Sequence, residues 1–341
     1  MDKKVMFAVA GAGKTTYILN QLNLESRAII LTYTISNFNN LQDGLLHKFG
    51  HYPQNIKVYT YFNFLYQFCY RPFLSYKLKA KGINWKPNPN LYAQNDARYL
   101  DSYQRLYSNR IAKLLEEKDV AERVRQRLVK YFDVLFIDEI QDFAGHDFNF
   151  LKQLAAAQIQ ILFVGDFYQH TFDTSRDGSV NKSLHDDYAK YQAQFKSMGI
   201  TTDSTTLIKS HRCSPSICDF ITSQIGIQIG SHRTDQKIVT IVSDEQTAIA
   251  LYNDVQIVKL FYQEHHKYNC YSKNWGDCKG EDKYNDVCVV LNGKTWSHLQ
   301  TNKIQELPTQ TRNKLYVACS RAKGNLTLVS DQHFKKFKQP V

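Results

Sequence analysis

The stretch from Val5 to Thr16, Val-Met-Phe-Ala-Val-Ala-Gly-Ala-Gly-Lys-Thr-Thr, constrains this chain more than any other part of it. An apolar run enters a glycine loop, and the residues from Lys14 through Gln21 read as a helix, which is the strand, loop and helix order of a phosphate-binding loop. Gly11 and Gly13 can adopt backbone angles closed to other residues, so several N–H groups can converge on phosphate oxygens at a helix N-terminus. Gly11, Ala12, Gly13, Lys14, Thr15 and Thr16 are therefore the candidate nucleotide-binding residues. Lys14 is suited to the β and γ phosphates of ATP, and the Thr15 hydroxyl to Mg²⁺.

The rest of the chain follows the same rhythm. Apolar runs at Val5–Ala8, Ala28–Leu31, Val134–Ile137, Ile159–Val164, Lys237–Val242, Val287–Leu291 and Leu326–Val329 alternate with longer polar-periodic stretches. Val134-Leu135-Phe136-Ile137 is apolar on both faces, as a strand covered by helices on each side must be. The expected class is α/β with doubly wound parallel sheets. From about Pro72 to Lys130 the pattern turns Tyr-rich, basic and helical, with Val120, Val124 and Leu128 at i, i+4 spacing. That segment is expected to be a helical insertion.

With 341 residues, two domains are the default. A formal charge of +11 suits a protein that meets a polyanion, although charge alone decides nothing. The seven cysteines show no CxxC pair and read as reduced thiols of a cytoplasmic protein. The apolar run at the start is too short for a signal peptide, and no run reaches the roughly 18 residues of a membrane span.

Two further strands end in chemistry. Asp138-Glu139 follows Val134–Ile137 at the edge where ligands bind in open α/β sheets. Asp138 suits Mg²⁺, held directly or through water, and Glu139 suits the base that deprotonates an attacking water. Ile161–Val164 leads to Gly165-Asp166, with Gln169 three residues on, where an amide could sense a γ-phosphate.

These motifs together resemble the UvrD/Rep/PcrA-type superfamily 1 helicases and their compact relatives, over nearly the whole chain. The resemblance rests on Ala8–Thr15, Leu31-Thr32-Tyr33-Thr34, Phe136-Ile137-Asp138-Glu139-Ile140-Gln141-Asp142, Gly165–Gln169, Ser210-His211-Arg212, Cys278-Lys279-Gly280 and Lys314–Lys323. It implies two RecA-like P-loop lobes with parallel sheets and a small helical insertion in the first. The first lobe would be residues 1–72 and 131–205, the insertion 73–130, and the second lobe 206–341. It implies that Arg212 and Arg321 meet the charge that builds on the γ-phosphate, and that Glu281 or Asp282 contacts the ribose. The family's adenine-reading glutamine has no counterpart before the first strand, so base selectivity stays open.

On the polynucleotide side the resemblance selects Thr34, Tyr61, Phe172 and Trp275, with Asn37, Tyr59, Phe62 and Phe64 as further candidates. Aromatic faces serve this purpose because stacking contributes roughly 1–3 kcal/mol per base without reading sequence. The implied activity is an ATP-dependent, 3′ to 5′ translocase or helicase on single-stranded DNA. The rival is an ATP-controlled DNA-sensing switch subunit with a nuclease partner in a defence or repair complex.

Overall fold

The structure, a computed structural model, describes residues 2–171 and 179–339. The chain divides into two compact units: one comprises Met1–Phe7, Lys14–Gly165 and Phe172–Asp203, the other Ala8–Gly13, Asp166–Thr171 and Ser204–Val341.

The first unit begins with β1 (Lys3–Phe7), α1 (Lys14–Asn20), β2 (Ala28–Thr32), α2 (Ile35–Phe49) and β3 (Ile56–Thr60). After the short strands β4 (Gly82–Asn84) and β5 (Arg105–Tyr107), it continues through β6 (Val134–Asp138), β7 (Gln160–Gly165) and β8 (Thr201–Asp203). Six of these strands make one sheet in the order β3-β2-β6-β7-β1-β8, and every pairing is parallel. β2 is buried along its whole length, as its Ala-Ile-Ile-Leu-Thr sequence requires of a strand with both faces covered. Phe7 pairs with Gly165, and Asp138 with Val164, so β1, β6 and β7 end level with one another. Helix α2 is capped at its start by Thr34, whose Oγ1 accepts from Asn37 N at 3.2 Å, and at its end by Gly50 at φ 75°.

The segment expected to be a helical insertion holds the helices Arg71–Leu78, Ile111–Glu117 and Ala121–Tyr131. It also holds β4 and β5, which pair in parallel. Strands of three residues are too short to show a period of two in sequence. The last helix buries Ala121, Val124 and Leu128, one stripe of an otherwise charged surface.

The second unit carries the two-residue strands β9 (Lys209–Ser210) and β10 (Gly230–Ser231). Its main sheet comprises β11 (Val239–Val242), β12 (Val258–Phe261), β13 (Ser272–Asn274), β14 (Val287–Leu291) and β15 (Leu326–Ser330). The order is β11-β15-β14-β12-β13, again wholly parallel. The core gathers Ile217, Ile221, Val289, Leu328, Trp275 and Tyr316. All seven cysteines are thiols, and all but Cys270 are buried. Among the described residues, no helix is long and apolar enough to cross a membrane.

Candidate nucleotide-binding and hydrolytic site

In the first unit, the start of α1 meets the end of β6. Thr15 Oγ1 donates to Asp138 Oδ2 at 3.1 Å, and Lys14 Nζ lies 3.6 Å from Glu139 Oε1, with both side chains of that pair about nine-tenths enclosed. Burial, and then the neighbouring Glu139 charge, push the Asp138 carboxyl up to about 7, while Lys14 and the Thr15 hydroxyl pull it down. A buried carboxylate beside a second carboxylate is short of positive charge. A divalent cation would supply it, and Thr15 with Asp138 is the hydroxyl-plus-carboxylate donor set that suits Mg²⁺ whose other ligands are phosphate and water.

Glu139 has φ +58°, in the left-handed region that a glutamate seldom enters. Its backbone N–H donates to Asp138 Oδ1 at 3.0 Å, and its side chain accepts a hydrogen bond from Gln141 Nε2. The turn after β6 thus holds Glu139 from both backbone and side chain. Gln141 carries no role in the motif as read from sequence, and its spacing of two from Glu139 is the signal that could have assigned it one.

In the second unit, a hydrogen-bonded series runs through five residues. Ala10 N–H donates to Tyr316 Oη at 2.8 Å, and the Tyr316 hydroxyl donates to Asp166 Oδ2 at 2.9 Å. Gln169 Nε2 donates to the same Asp166 oxygen at 2.8 Å, and Arg321 Nη2 to Gln169 Oε1 at 3.4 Å. Arg321 is 2% exposed and also donates to Val317 O at 3.2 Å and Glu281 O at 3.1 Å. Tyr316 lay inside a quoted motif, yet only the fold shows its reach to Ala10, 306 residues away.

Arg212 donates through Nε to Asp282 Oδ1 at 2.6 Å and through Nη1 to Ser320 O at 3.2 Å. Of the two candidate ribose acids, Asp282 is thus the ion-pair partner of Arg212. Glu281 accepts from Lys273 and from the Tyr284 hydroxyl. Burial works to raise Glu281, but these two donors outweigh it and hold the carboxyl below its usual range.

Gly11 has φ +71°, and a Cβ added there would stand 2.6 Å from Ser210 Oγ and 2.8 Å from Arg212 Cβ. His211 N–H donates to Gly11 O at 2.8 Å, so the loop and the Ser-His-Arg segment are tied through backbone. Gly11→Ala is expected to cost about 1–3 kcal/mol in a urea unfolding measurement, from the strained φ and the overlap together. An unchanged midpoint would mean that the loop can move away from Ser210.

The candidate polynucleotide residues fall in different settings. Thr34 caps α2, and Asn37 is largely buried beneath that cap. Tyr61 is 2% exposed; its hydroxyl donates to Asp147 O at 3.3 Å and its ring meets Phe143 edge-on at 4.6 Å. Trp275, expected to offer a stacking face, is instead fully enclosed in the second unit's core, where its indole N–H donates to Leu260 O at 2.8 Å. A solitary tryptophan between Asn274 and Gly276 gives no sequence sign of which way it faces. Phe172 lies outside the described residues.

The sequence profile of the viral superfamily 1 RNA helicase core domain matches residues 105–330. No curated protein matches the chain in sequence. Among solved structures, the chain is similar in fold to the crystal structure of arterivirus nonstructural protein 10, a helicase, with a TM-score of 0.51, 13% identity, and coverage of 96% of this chain and 59% of that one. The complex of arterivirus nonstructural protein 10 with DNA gives a TM-score of 0.50 at 13% identity, covering 96% and 60%. The chain spans about three fifths of the length of those helicases.

Proposed function

This chain belongs to the viral superfamily 1 RNA helicase core family, and from that premise we propose that it hydrolyses ATP and couples the reaction to movement along a single-stranded nucleic acid. The observation that carries the reading is the meeting of Lys14 and Thr15 with Glu139 and Asp138 where α1 begins and β6 ends. A lysine, a hydroxyl, a metal-binding carboxylate and a second carboxylate serve phosphoryl transfer to water as a set.

In this reading the loop N–H groups and Lys14 bind and orient the phosphates. Thr15 and Asp138 would hold Mg²⁺, which when bound would supply positive charge beside the phosphates. Glu139 accepts the proton of the attacking water, and Gln141 fixes the carboxylate that does so. Arg212 and Arg321 oppose the charge that develops on the γ-phosphate, and Gln169, bonded to Arg321, senses its presence. Glu281 is the proposed ribose contact. Thr34 and Asn37 face the strand in this reading, together with the aromatic side chains near Tyr61.

The finer reading, a compact UvrD/Rep/PcrA-type motor stepping 3′ to 5′ on DNA, rests on the motif series. The matched family is described by RNA and a similar helicase was solved with DNA, so the test carries both. Steady-state ATPase activity is to be measured alone and with single-stranded DNA, duplex DNA and RNA. Single-stranded DNA is expected to stimulate turnover, and its affinity to fall with salt by roughly 0.7 log units per log unit of salt for each phosphate contacted. Stopped-flow arrival signals on strands labelled at either end then read movement and direction. Turnover indifferent to every nucleic acid at low salt would overturn the motor reading.

A further inference from the structure

Three consecutive residues of the phosphate loop are held from outside the loop, each by a different segment of the second unit. Val9 N–H donates to Leu207 O at 2.9 Å, Ala10 N–H to the Tyr316 hydroxyl at 2.8 Å, and Gly11 O accepts from His211 N–H at 2.8 Å. The first and last of these ties run from backbone to backbone and depend on no side chain. The middle one needs a hydroxyl at position 316. Ala12 N–H is in turn bent back on Val9 O at 3.2 Å. The N–H groups of Val9, Ala10 and Ala12 thus shape the loop rather than face a ligand.

A phenol has one hydrogen to give and two lone pairs to accept with. The Tyr316 hydrogen goes to Asp166 Oδ2 at 2.9 Å, which leaves a lone pair for Ala10 N–H. The same carboxylate oxygen accepts from Gln169 Nε2 at 2.8 Å. With Nε2 turned to Asp166, Gln169 presents Oε1 on its other side, where Arg321 Nη2 donates at 3.4 Å. Asp166 Oδ1 is held separately by Tyr168 N–H at 3.1 Å, so the carboxylate is fixed in rotation. Tyr316, Asp166, Gln169 and Arg321 are all buried. Burial first, and then the Asp166 charge, push the Tyr316 phenol well above its ordinary range. The hydroxyl therefore keeps its proton and always offers Asp166 the same donor.

Hydrogen bonds to a buried carboxylate are the strong members of such a series, and in a low dielectric each donor alters the charge left for the other. Without the Tyr316 hydroxyl, Gln169 would carry more of the Asp166 charge, and the amide that Arg321 bonds to would shift. Ala10 N–H would lose its acceptor at the same time.

We propose that Tyr316 is a positioning residue for ATP hydrolysis: its hydroxyl fixes Ala10 N–H within the phosphate loop and, through the shared Asp166 oxygen, sets the orientation of Gln169 and Arg321. One side chain thereby holds the loop and the arginine to a single geometry. The inference rests on the hydrolytic reading above, in which Tyr316 is not itself a contact of the nucleotide and acts through Gln169 and Arg321.

The test measures steady-state ATP hydrolysis by the full chain with Tyr316→Phe, with Gln169→Ala, and with both. Tyr316→Phe keeps the ring and removes only the hydroxyl. It is expected to lower kcat about 10- to 100-fold, the range for a hydrogen bond to a charged group, while KM for ATP changes by less than about threefold. Because the two residues act through one carboxylate oxygen, the double variant should be slower than Gln169→Ala alone by no more than about threefold. A tyrosine that merely fills the core would give losses that multiply, and that result would overturn the proposal. So would an unchanged kcat, or a rise in KM that accounts for the whole loss of kcat/KM. Asp166→Asn is the second variant. Whichever way that amide turns, its NH₂ meets a donor, either Tyr168 N–H or the pair from Tyr316 and Gln169. It should reproduce the loss of kcat and be insensitive to added Tyr316→Phe. Failure of both variants to fold, read by circular dichroism, would make the tie structural and overturn the proposal as well. Absence of ATP hydrolysis by the unaltered chain would instead overturn the hydrolytic reading.

Discussion

Replacing Lys14 with alanine is expected to abolish ATP turnover, and replacing Glu139 with glutamine to preserve ATP binding while turnover falls about 10²- to 10⁴-fold. The two losses differ in kind. In the proposed site Lys14 carries the charge that would hold the phosphates, and it also stands 3.6 Å from Glu139 in an enclosed site. Its removal leaves Glu139 and Asp138, already crowded by burial and by each other, without their nearest cation. Glu139→Gln keeps size and one acceptor oxygen but cannot accept the proton of water, so the chemical step suffers most. Binding of a fluorescent ATP analogue, measured beside phosphate release, separates the two cases. Hydrolysis by Glu139→Gln at the parent rate would remove Glu139 as the base.

Arg321→Ala is expected to lower kcat by about 10³- to 10⁵-fold with a much smaller change in KM, because in the proposed role its charge matters most as the γ-phosphate departs. Arg321→Lys should recover only part of this, since a lysine keeps the charge and loses the planar fork that reaches Val317, Glu281 and Gln169 together. Those bonds make Arg321 structural as well, so each melting temperature must be read beside the rate. Arg212→Ala is the cleaner variant. Its side chain binds Asp282, which is largely solvent-exposed, and one carbonyl, Ser320 O, so its loss should disturb the fold less than that of Arg321 while kcat falls. Unchanged turnover in both variants would defeat the assignment of either arginine to catalysis.

The parts of the fold legible in sequence are those where burial on both sides forces apolar runs. β2, β6, β7, β14 and β15 all lie where those runs predict. The strands without such runs are short or polar: β8 is Thr-Thr-Asp, β13 is Ser-Lys-Asn, and β12 encloses Lys259, which donates to Asp254 O. Local pattern also marks the phosphate loop and the Asp138-Glu139 pair, since both are set by a few adjacent residues. The fate of single aromatics is different. Trp275 and Trp85 each follow an asparagine at the end of a short strand, yet one is core and the other stands in solvent. Nothing within a few residues of either separates them, because the packing that does comes from elsewhere in the chain.

The sheet of the first unit also dictates when a nascent chain can become competent. β1 precedes the other strands of its sheet, but its partners are β7 and β8, and its last pairing reaches from Met6 to Asp203. β2 and β3 pair with each other soon after synthesis, while β1 must wait for β7 at Gln160–Gly165 and β8 at Thr201–Asp203. Contacts of such long sequence separation form late, because loop closure opposes them until the intervening segments are ordered. β1 is thus among the last strands of its sheet to dock, and α1, which follows it, is aligned with Asp138 only when that happens. The apolar β1 therefore stays undocked while β2 and β3 pair, and the proposed nucleotide site, which needs α1 beside Asp138, forms late in folding.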